Sequence, residues 1–432
     1  MTMRILNGLA TLLLLLIYSF SACAYSWQDY KDAIARQDWE SCVEVLNNLS
    51  GEIDEKARKK ALSYCLNQLG VQNLRSGRVE EAVSNLYDAY EEYPSPVIEL
   101  NLLSAMAKAG YWQQVLNRFL GRENEFGNSE KLVVYYIAMA YFQLGEYSAC
   151  QEYLSNWIGK YPDERFKMLL AEAAGRAGDV TTAATYGDER WKRAKKVEQN
   201  YGEDYYGVFR FKFPPKFSLS SEAKRWAQKV LQEAYYEFGG WLDVYPPQVE
   251  VVLYAGSDFS KASRGIVPDW SGGFFDGRIR IPLWYLSRGQ GKNELRRVLR
   301  HEYMHVLVYL KSSGRAPTWI HEALAQLAEP KELTSARIKL AKLLLKKLLK
   351  DGYLKKGFGA LSGVFKTSNA RLAAAAYSAS LLLGRYLKDN WGDYVFVQML
   401  EEYAKGKSDN EVLKNVIYKD AEEFTEEILS VF

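Results

Sequence analysis

Three histidines occur in 432 residues, and all of them lie between positions 301 and 321. Two stand in the HExxH string His301-Glu302-Tyr303-Met304-His305, and the third in Trp319-Ile320-His321-Glu322-Ala323. Neutral imidazole is the commonest metal ligand, and two of them at i and i+4 on a helix project from one face at a separation that one cation can bridge. In a chain this poor in histidine, coincidence is a weak source of the string. Catalytic zinc takes three protein ligands and keeps a position open for water, so a third His, Asp or Glu must come from elsewhere. His321 and Glu322 both qualify. They differ by about a hundred degrees around a helix axis, so only one of them can face the metal well. The metzincin string HExxHxxGxxH does not occur, because Val306 to Lys311 lacks its glycine and histidine. A closed structural zinc site would need a fourth protein ligand, and no cysteine lies nearby to supply one.

These residues need elements to hold them. Asn293 to Leu310 reads as one helix, with Leu295, Val298, Leu299, Val306 and Leu310 in an apolar stripe and His301 and His305 on its shoulder. Glu302 falls between that pair and the stripe, a costly place for a carboxylate unless it faces a polar cavity or a cation. Pro317 and Thr318 start a second helix carrying His321 and Glu322. Upstream, Val208 to Phe213 alternates apolar and basic residues as a half-buried strand does, Ser220 to Trp241 has helical spacing, and Val249 to Tyr254 is a compact strand. Arg278-Ile279-Arg280-Ile281-Pro282 alternates again and closes on proline, which suits an edge strand. Ile338 to Lys356 mixes leucines with lysines; a helix packing its leucines on the domain explains this more simply than one lying on an anionic membrane.

From about Phe209 to Phe432 the chain resembles the peptidase MA-like gluzincins. The likeness rests on HExxH, on Trp319 to Ala325 against the family's W-x-x-E-G-x-A, on Ala376-Tyr377-Ser378-Ala379-Ser380 against its A-Y-x-x-S helix, and on Trp391-Gly392 and Phe424 near the end. The resemblance implies an α+β zincin domain holding one Zn2+ through His301, His305 and Glu322. It implies Glu302 as general base and acid, Tyr377 as a partner of the oxyanion, and Arg278, Ile279, Arg280 and Ile281 pairing with extended substrate as an added strand. Two positions depart from the pattern. Ala323 stands where the family has glycine, and Gln326 stands where some gluzincins place a carboxylate behind a ligand histidine.

Ahead of this domain, Gly77, Gly110, Gly145 and Gly178 recur at intervals of 33, 35 and 33 residues. In the unit from Ser63 to Pro96, Gly70, Gly77, Ala82, Ala89 and Pro94 stand where small residues let one helix approach the next and a glycine turns the chain between them. The pattern resembles tetratricopeptide repeats. The expectation is therefore a multidomain chain: residues 25–186 an all-α tetratricopeptide-like solenoid, 187–207 a linker or capping helix, and 208–432 the gluzincin-like domain. A solenoid either props up its neighbour or binds a protein partner.

Residues 1–24 read as an export signal, with Arg4, an apolar run from Leu9 to Phe20, and Ala22-Cys23-Ala24. Cleavage after Ala24 fits A-x-A, whereas cleavage before Cys23 would leave a cysteine for lipidation, the one route to a membrane. An extracytoplasmic, bacterial periplasmic setting follows. Cys42, Cys65 and Cys150 then remain, an odd number without zinc-knuckle spacing; a Cys42 to Cys65 bridge and buried free thiols are both open. With 56 basic against 53 acidic residues, the net charge of +3 gives no reason to expect nucleic acid. Together these readings describe an exported zinc metallopeptidase acting on a protein or peptide substrate. The competing description is a repeat-based envelope scaffold with an inactive protease-like domain.

Overall fold

A computed structural model describes residues 25–49, 54–215, 221–255, 257–263, 273–284, 291–329, 332–365, 367 and 369–432. The expected export signal and Cys23 lie outside the described residues. Among the described residues, no helix is long and apolar enough to cross a membrane. The chain is mostly helical with one small mixed sheet, and its packing divides after Ala109 into two compact units.

The first unit is built from α1 (Trp27–Ala35), α2 (Trp39–Asn48), α3 (Glu55–Arg75), α4 (Val79–Glu92) and α5 (Pro96–Ala109). Ser26 and Asp29 form a reciprocal capping box at the start of α1, and Asp38 caps α2, so backbone N–H groups that a helix leaves open are satisfied by short polar side chains. Where α3 crosses α4, a Cβ on Gly70 would stand 2.6 Å from Leu86 Cγ. The glycine is there for close approach.

The second unit begins with α6 (Trp112–Phe119), α7 (Glu130–Gln143), α8 (Tyr147–Trp157), α9 (Glu164–Arg176), α10 (Val180–Tyr186) and α11 (Glu189–Glu198). The recurring glycines Gly77, Gly110, Gly145 and Gly178 all take left-handed φ, between 78° and 89°, in turns that follow a helix. A hairpin of β1 (Gly202–Tyr206) and β2 (Phe209–Phe213) follows, then α12 (Ser221–Leu242), β3 (Val249–Tyr254), α13 (Asp258–Ser263), β4 (Phe274–Phe275) and β5 (Ile279–Pro282). The remainder is helical: α14 (Gly291–Lys311), α15 (Thr318–Leu327), α16 (Ser335–Lys350), α17 (Leu361–Phe365), α18 (Ala370–Trp391), α19 (Tyr394–Ala404), α20 (Asp409–Ile417) and α21 (Ala421–Val431). In α16, Ala341, Leu344, Leu345 and Leu348 are buried, as the packing reading of the leucine–lysine segment requires.

The sheet order is β1-β2-β3-β5-β4, with β2, β3 and β5 parallel and the two outer pairings antiparallel. Residues alternate between its faces. Phe209, Phe211, Val249, Val251, Leu253, Ile279 and Ile281 enter the main core with Leu231, Phe238 and Leu299. Arg210, Lys212, Glu250, Tyr254, Arg278 and Arg280 take the alternate positions, and helices α9 to α11 supply what covers them. Arg278 donates to both carboxylate oxygens of Glu198 at 2.7 and 3.0 Å, Arg280 reaches Glu198 at 3.1 Å and Asp276 at 3.0 Å, and Tyr254 donates to Glu198 at 2.6 Å. Lys212 donates to the Gly178 carbonyl, and Arg210 to that of Ala177. Buried ions persist only when they find partners of opposite charge. Burial alone would raise the Glu198 carboxyl, yet the two guanidiniums hold it below the usual carboxylate range.

β5 is not an edge strand, because β4 pairs along it at Phe274↔Arg280 and Phe275↔Ile279. Arg278, Ile279, Arg280 and Ile281 are all fully buried, which removes them as a substrate-pairing strand. Alternation correctly distinguishes two faces, but it does not say that the second one meets water; here it meets carboxylates from a helical layer. The segment 187–207 contains α11 and the unanticipated strand β1.

Candidate metal centre

Helix α14 carries His301 and His305 one turn apart, with ring centroids 4.8 Å from each other, and helix α15 packs against it with Glu322 facing the pair. His301 Nε2 lies 3.6 Å from Glu322 Oε2, and His305 Nε2 lies 3.8 Å from Glu322 Oε1. One ligand atom from each of His301, His305 and Glu322 lies within 4.8 Å of the others, a separation that one cation could bridge. His321 is outside that group. Its ring stands beside His305, with centroids 5.6 Å apart, and burial lowers its pKa to about 4. Of the two candidates for third ligand, Glu322 is the one that converges with the histidines.

The pair is held from behind. His301 Nδ1 is 2.6 Å from Glu329 Oε1, and Arg297, one turn before His301 on α14, donates to Glu329 Oε2 at 3.0 Å. A carboxylate on Nδ1 fixes the ring orientation and leaves Nε2 as the free donor atom. Sequence reading missed Glu329. It lies past the end of α15, where no helical spacing ties it to His301; the available signal was Arg297 at i−4, a cation on the histidine's own face that calls for a nearby carboxylate. Gln326 does other work: its amide nitrogen donates to the Glu322 carbonyl at 3.0 Å and to the Tyr377 carbonyl at 2.8 Å, tying α15 to α18. Arg337 donates to its amide oxygen.

Electrostatics around the centre follow from burial and carboxylates. For His301, burial works to lower the pKa, but the hydrogen bond to Glu329 and the charges of Glu302 and Glu322 lift it to about 9. His305 is pushed well below the usual range, by burial first and then by the neighbouring imidazoles. Glu302 is raised to about 7, mainly by burial and further by Glu322 and Glu329, against His301 and Arg297. Its Oε2 is buried without a hydrogen-bond partner among the described residues. No protein-family model matches this chain, and no curated protein matches it in sequence.

Tyr377 lies on α18, half-buried against Phe365 at 5.1 Å between ring centroids. Burial and the charges of Glu322 and Glu302 hold its phenol above the usual range, so it is protonated and near both carboxylates. Two further contacts set α15 in place. Ala323 Cβ is 2.9 Å from where a Cβ on Gly384 would be, so a glycine on α18 lets the two helices approach closely at this point. Trp319, fully buried three residues before Glu322, donates its indole N–H to Asp409 Oδ1 at 3.0 Å, and Asp409 also accepts from the Phe358 N–H and the Tyr403 hydroxyl.

Proposed function

We propose that this chain is an exported zinc-dependent metallopeptidase of the gluzincin type, with one zinc held by His301, His305 and Glu322. The observation that carries the reading is the convergence of those three side chains beside a buried carboxylate, Glu302, whose Oε2 has no hydrogen-bond partner among the described residues. The donor set fits the ion. Two imidazoles and one carboxylate are a catalytic zinc set, and the orphaned oxygen of Glu302 is accounted for by a water or substrate group that the protein does not supply.

Zinc bound there would polarise the scissile carbonyl and make its water more acidic. Glu302 accepts the proton of the attacking water and passes it to the departing amine, a role worth about a hundred- to ten-thousand-fold in rate. Tyr377, kept protonated, donates to the oxygen on which negative charge develops. Glu329 and Arg297 keep His301 oriented throughout. The helical repeats, read as tetratricopeptide-like, recruit protein substrates or partners; Val97 is among the large apolar side chains exposed on the first unit.

The test is metal content by mass spectrometry on protein purified without added zinc, beside His305→Ala, followed by hydrolysis of a fluorogenic peptide library with Glu302→Gln as the dead reference. About one zinc per chain, absent in the control, together with Glu302-dependent cleavage, is the expected result. Absence of zinc even after reconstitution would overturn the reading and leave the scaffold in its place.

A further inference from the structure

Cys42 on α2 and Cys65 on α3 are both fully buried in one apolar cluster with Ala33, Leu46, Leu62 and Leu66. Helices α2 and α3 pack against each other. The two thiols are hydrogen-bonding neighbours, and the Tyr30 phenol adjoins Cys65. Cys150 is engaged elsewhere: it packs with Val134, Ala138 and Leu154, and its Sγ–H donates to the Ala138 carbonyl at 3.2 Å. The three cysteines among the described residues thus resolve into one pair and one single.

We propose that Cys42 and Cys65 form a disulfide that staples α2 to α3 when the chain folds in the presence of a disulfide oxidant. The reasons are geometric and thermodynamic. Free thiols that are neighbours in one buried cluster, on helices already packed together, need only a local approach to reach the roughly 2.0 Å of an S–S bond. The first unit is small, and small units with limited cores gain most from covalent staples. The ring that the bond closes spans the end of one helix and the start of the next, which restricts the unfolded chain while leaving the packed helices where they are.

The chemistry balances with a disulfide of the thiol–disulfide oxidoreductase or glutathione class as oxidant. One thiolate of the pair attacks a sulfur of that disulfide, forming a mixed disulfide and expelling one thiolate. The second cysteine then attacks the first cysteine's sulfur and expels the other thiolate. Two protons and two electrons leave the pair, and the oxidant becomes two thiols. Burial holds both thiols above the usual range, and the thiolate is the nucleophile, so the bond forms while the helices assemble. A chain already folded in the reduced state oxidises slowly. None of this depends on the metal centre.

The experiment is refolding of the denatured, reduced full chain carrying Cys23→Ser in a glutathione redox buffer, followed by alkylation under denaturing conditions and peptide mapping. Expected are a reductant-sensitive peptide pair joining Cys42 to Cys65 and alkylation of Cys150 alone. The first unit's melting midpoint should also fall by on the order of 10 °C with reductant, a shift that Cys42→Ala abolishes. Full alkylation of Cys42 and Cys65 after refolding, or a bridge that includes Cys150, would overturn the proposal. Because mapping uses the paired cysteines themselves, it decides the matter even if Cys42→Ala folds poorly.

Discussion

Replacing Glu329 separates a structural carboxylate from one that tunes a metal site. Its side chain is 1% exposed, its Oε1 is 2.6 Å from His301 Nδ1, and its Oε2 takes the Arg297 guanidinium at 3.0 Å. With that anion in place, His301 keeps its proton on Nδ1 and directs Nε2 toward Glu322. In Glu329→Gln the shape is kept and the charge is lost, so the ring is oriented by a weaker bond and the imidazole becomes a poorer donor. Loss of an outer partner of this kind weakens metal binding by about ten- to a hundredfold, or roughly 1.4 to 2.8 kcal/mol. Glu329→Gln belongs at the lower end. Glu329→Ala belongs at the upper end, since it also leaves Arg297 only the partly exposed Glu294, 3.0 Å away. The assay is zinc competition against a chromophoric chelator at neutral pH, with circular dichroism to establish that each variant is folded. Zinc affinity within about twofold of the parent for both variants, while His305→Ala loses the metal, would refute the orienting role assigned to this carboxylate.

Other consequences can be checked alongside. Asp409→Ala strands the Trp319 indole N–H and the Phe358 amide in the interior, at about 1–3 kcal/mol each, so urea unfolding should show the second unit losing stability and zinc titration should show weaker binding; Asp409→Asn should recover part of both. Glu322→Ala should abolish zinc binding whereas His321→Ala should leave zinc stoichiometry intact, as read by mass spectrometry. Gly178→Ala puts a side chain at φ +89° and within 2.8 Å of Glu250 Oε2, which should cost at least about 1–3 kcal/mol in urea unfolding. Burial raises Glu250 to about 7 from 4.5, with Glu198 adding to the rise and Lys212, Arg278 and Arg210 opposing it. A carboxyl raised on folding contributes stability that is complete below 4.5 and is lost as pH climbs through about 7. The stability difference between parent and Glu250→Gln should therefore fall across that window and level off above it; a difference flat in pH would refute the assignment.

The sequence made the centre legible because its chemistry is local. HExxH lies on one helix, and its i, i+4 spacing fixes which face the two imidazoles share whatever else the chain does. Glu322 needed the resemblance, since His321 next to it has an equally good ligand chemistry and only the packing of α15 on α14 separates them. Glu329 and Asp409 were not legible, because each acts across a tertiary contact, 28 residues from His301 in one case and 90 from Trp319 in the other. The strands were found at Phe209–Phe213 and Val249–Tyr254 by pattern, but β1 and the two-residue β4 carry too little pattern of their own. Missing β4 led directly to reading β5 as the exposed edge.

The ionic layer beneath the sheet decides which part of the repeats can be deleted without unfolding the rest. Helices α9 to α11 belong in sequence to the repeating array, yet Glu198 on α11 neutralises Arg278 and Arg280 beneath the sheet, and the turn at Ala177 and Gly178 receives Arg210 and Lys212. Removing one partner of a buried ion pair costs about 3–5 kcal/mol, and taking α9 to α11 away would remove several at once. Strand β5, which carries Arg280 and is directly preceded by Arg278, packs its other face into the core shared with α14, the helix of His301 and His305. A deletion reaching into residues 110–198 would then lose activity by unfolding the sheet, whether or not those helices ever touch a substrate. Only the first unit, residues 25–109, can be removed without stripping that ionic layer. If the shortened chain still cleaves small peptides at the parental rate and loses only the protein substrate, recruitment lies in the first unit; if it loses neither, the repeats are structural support.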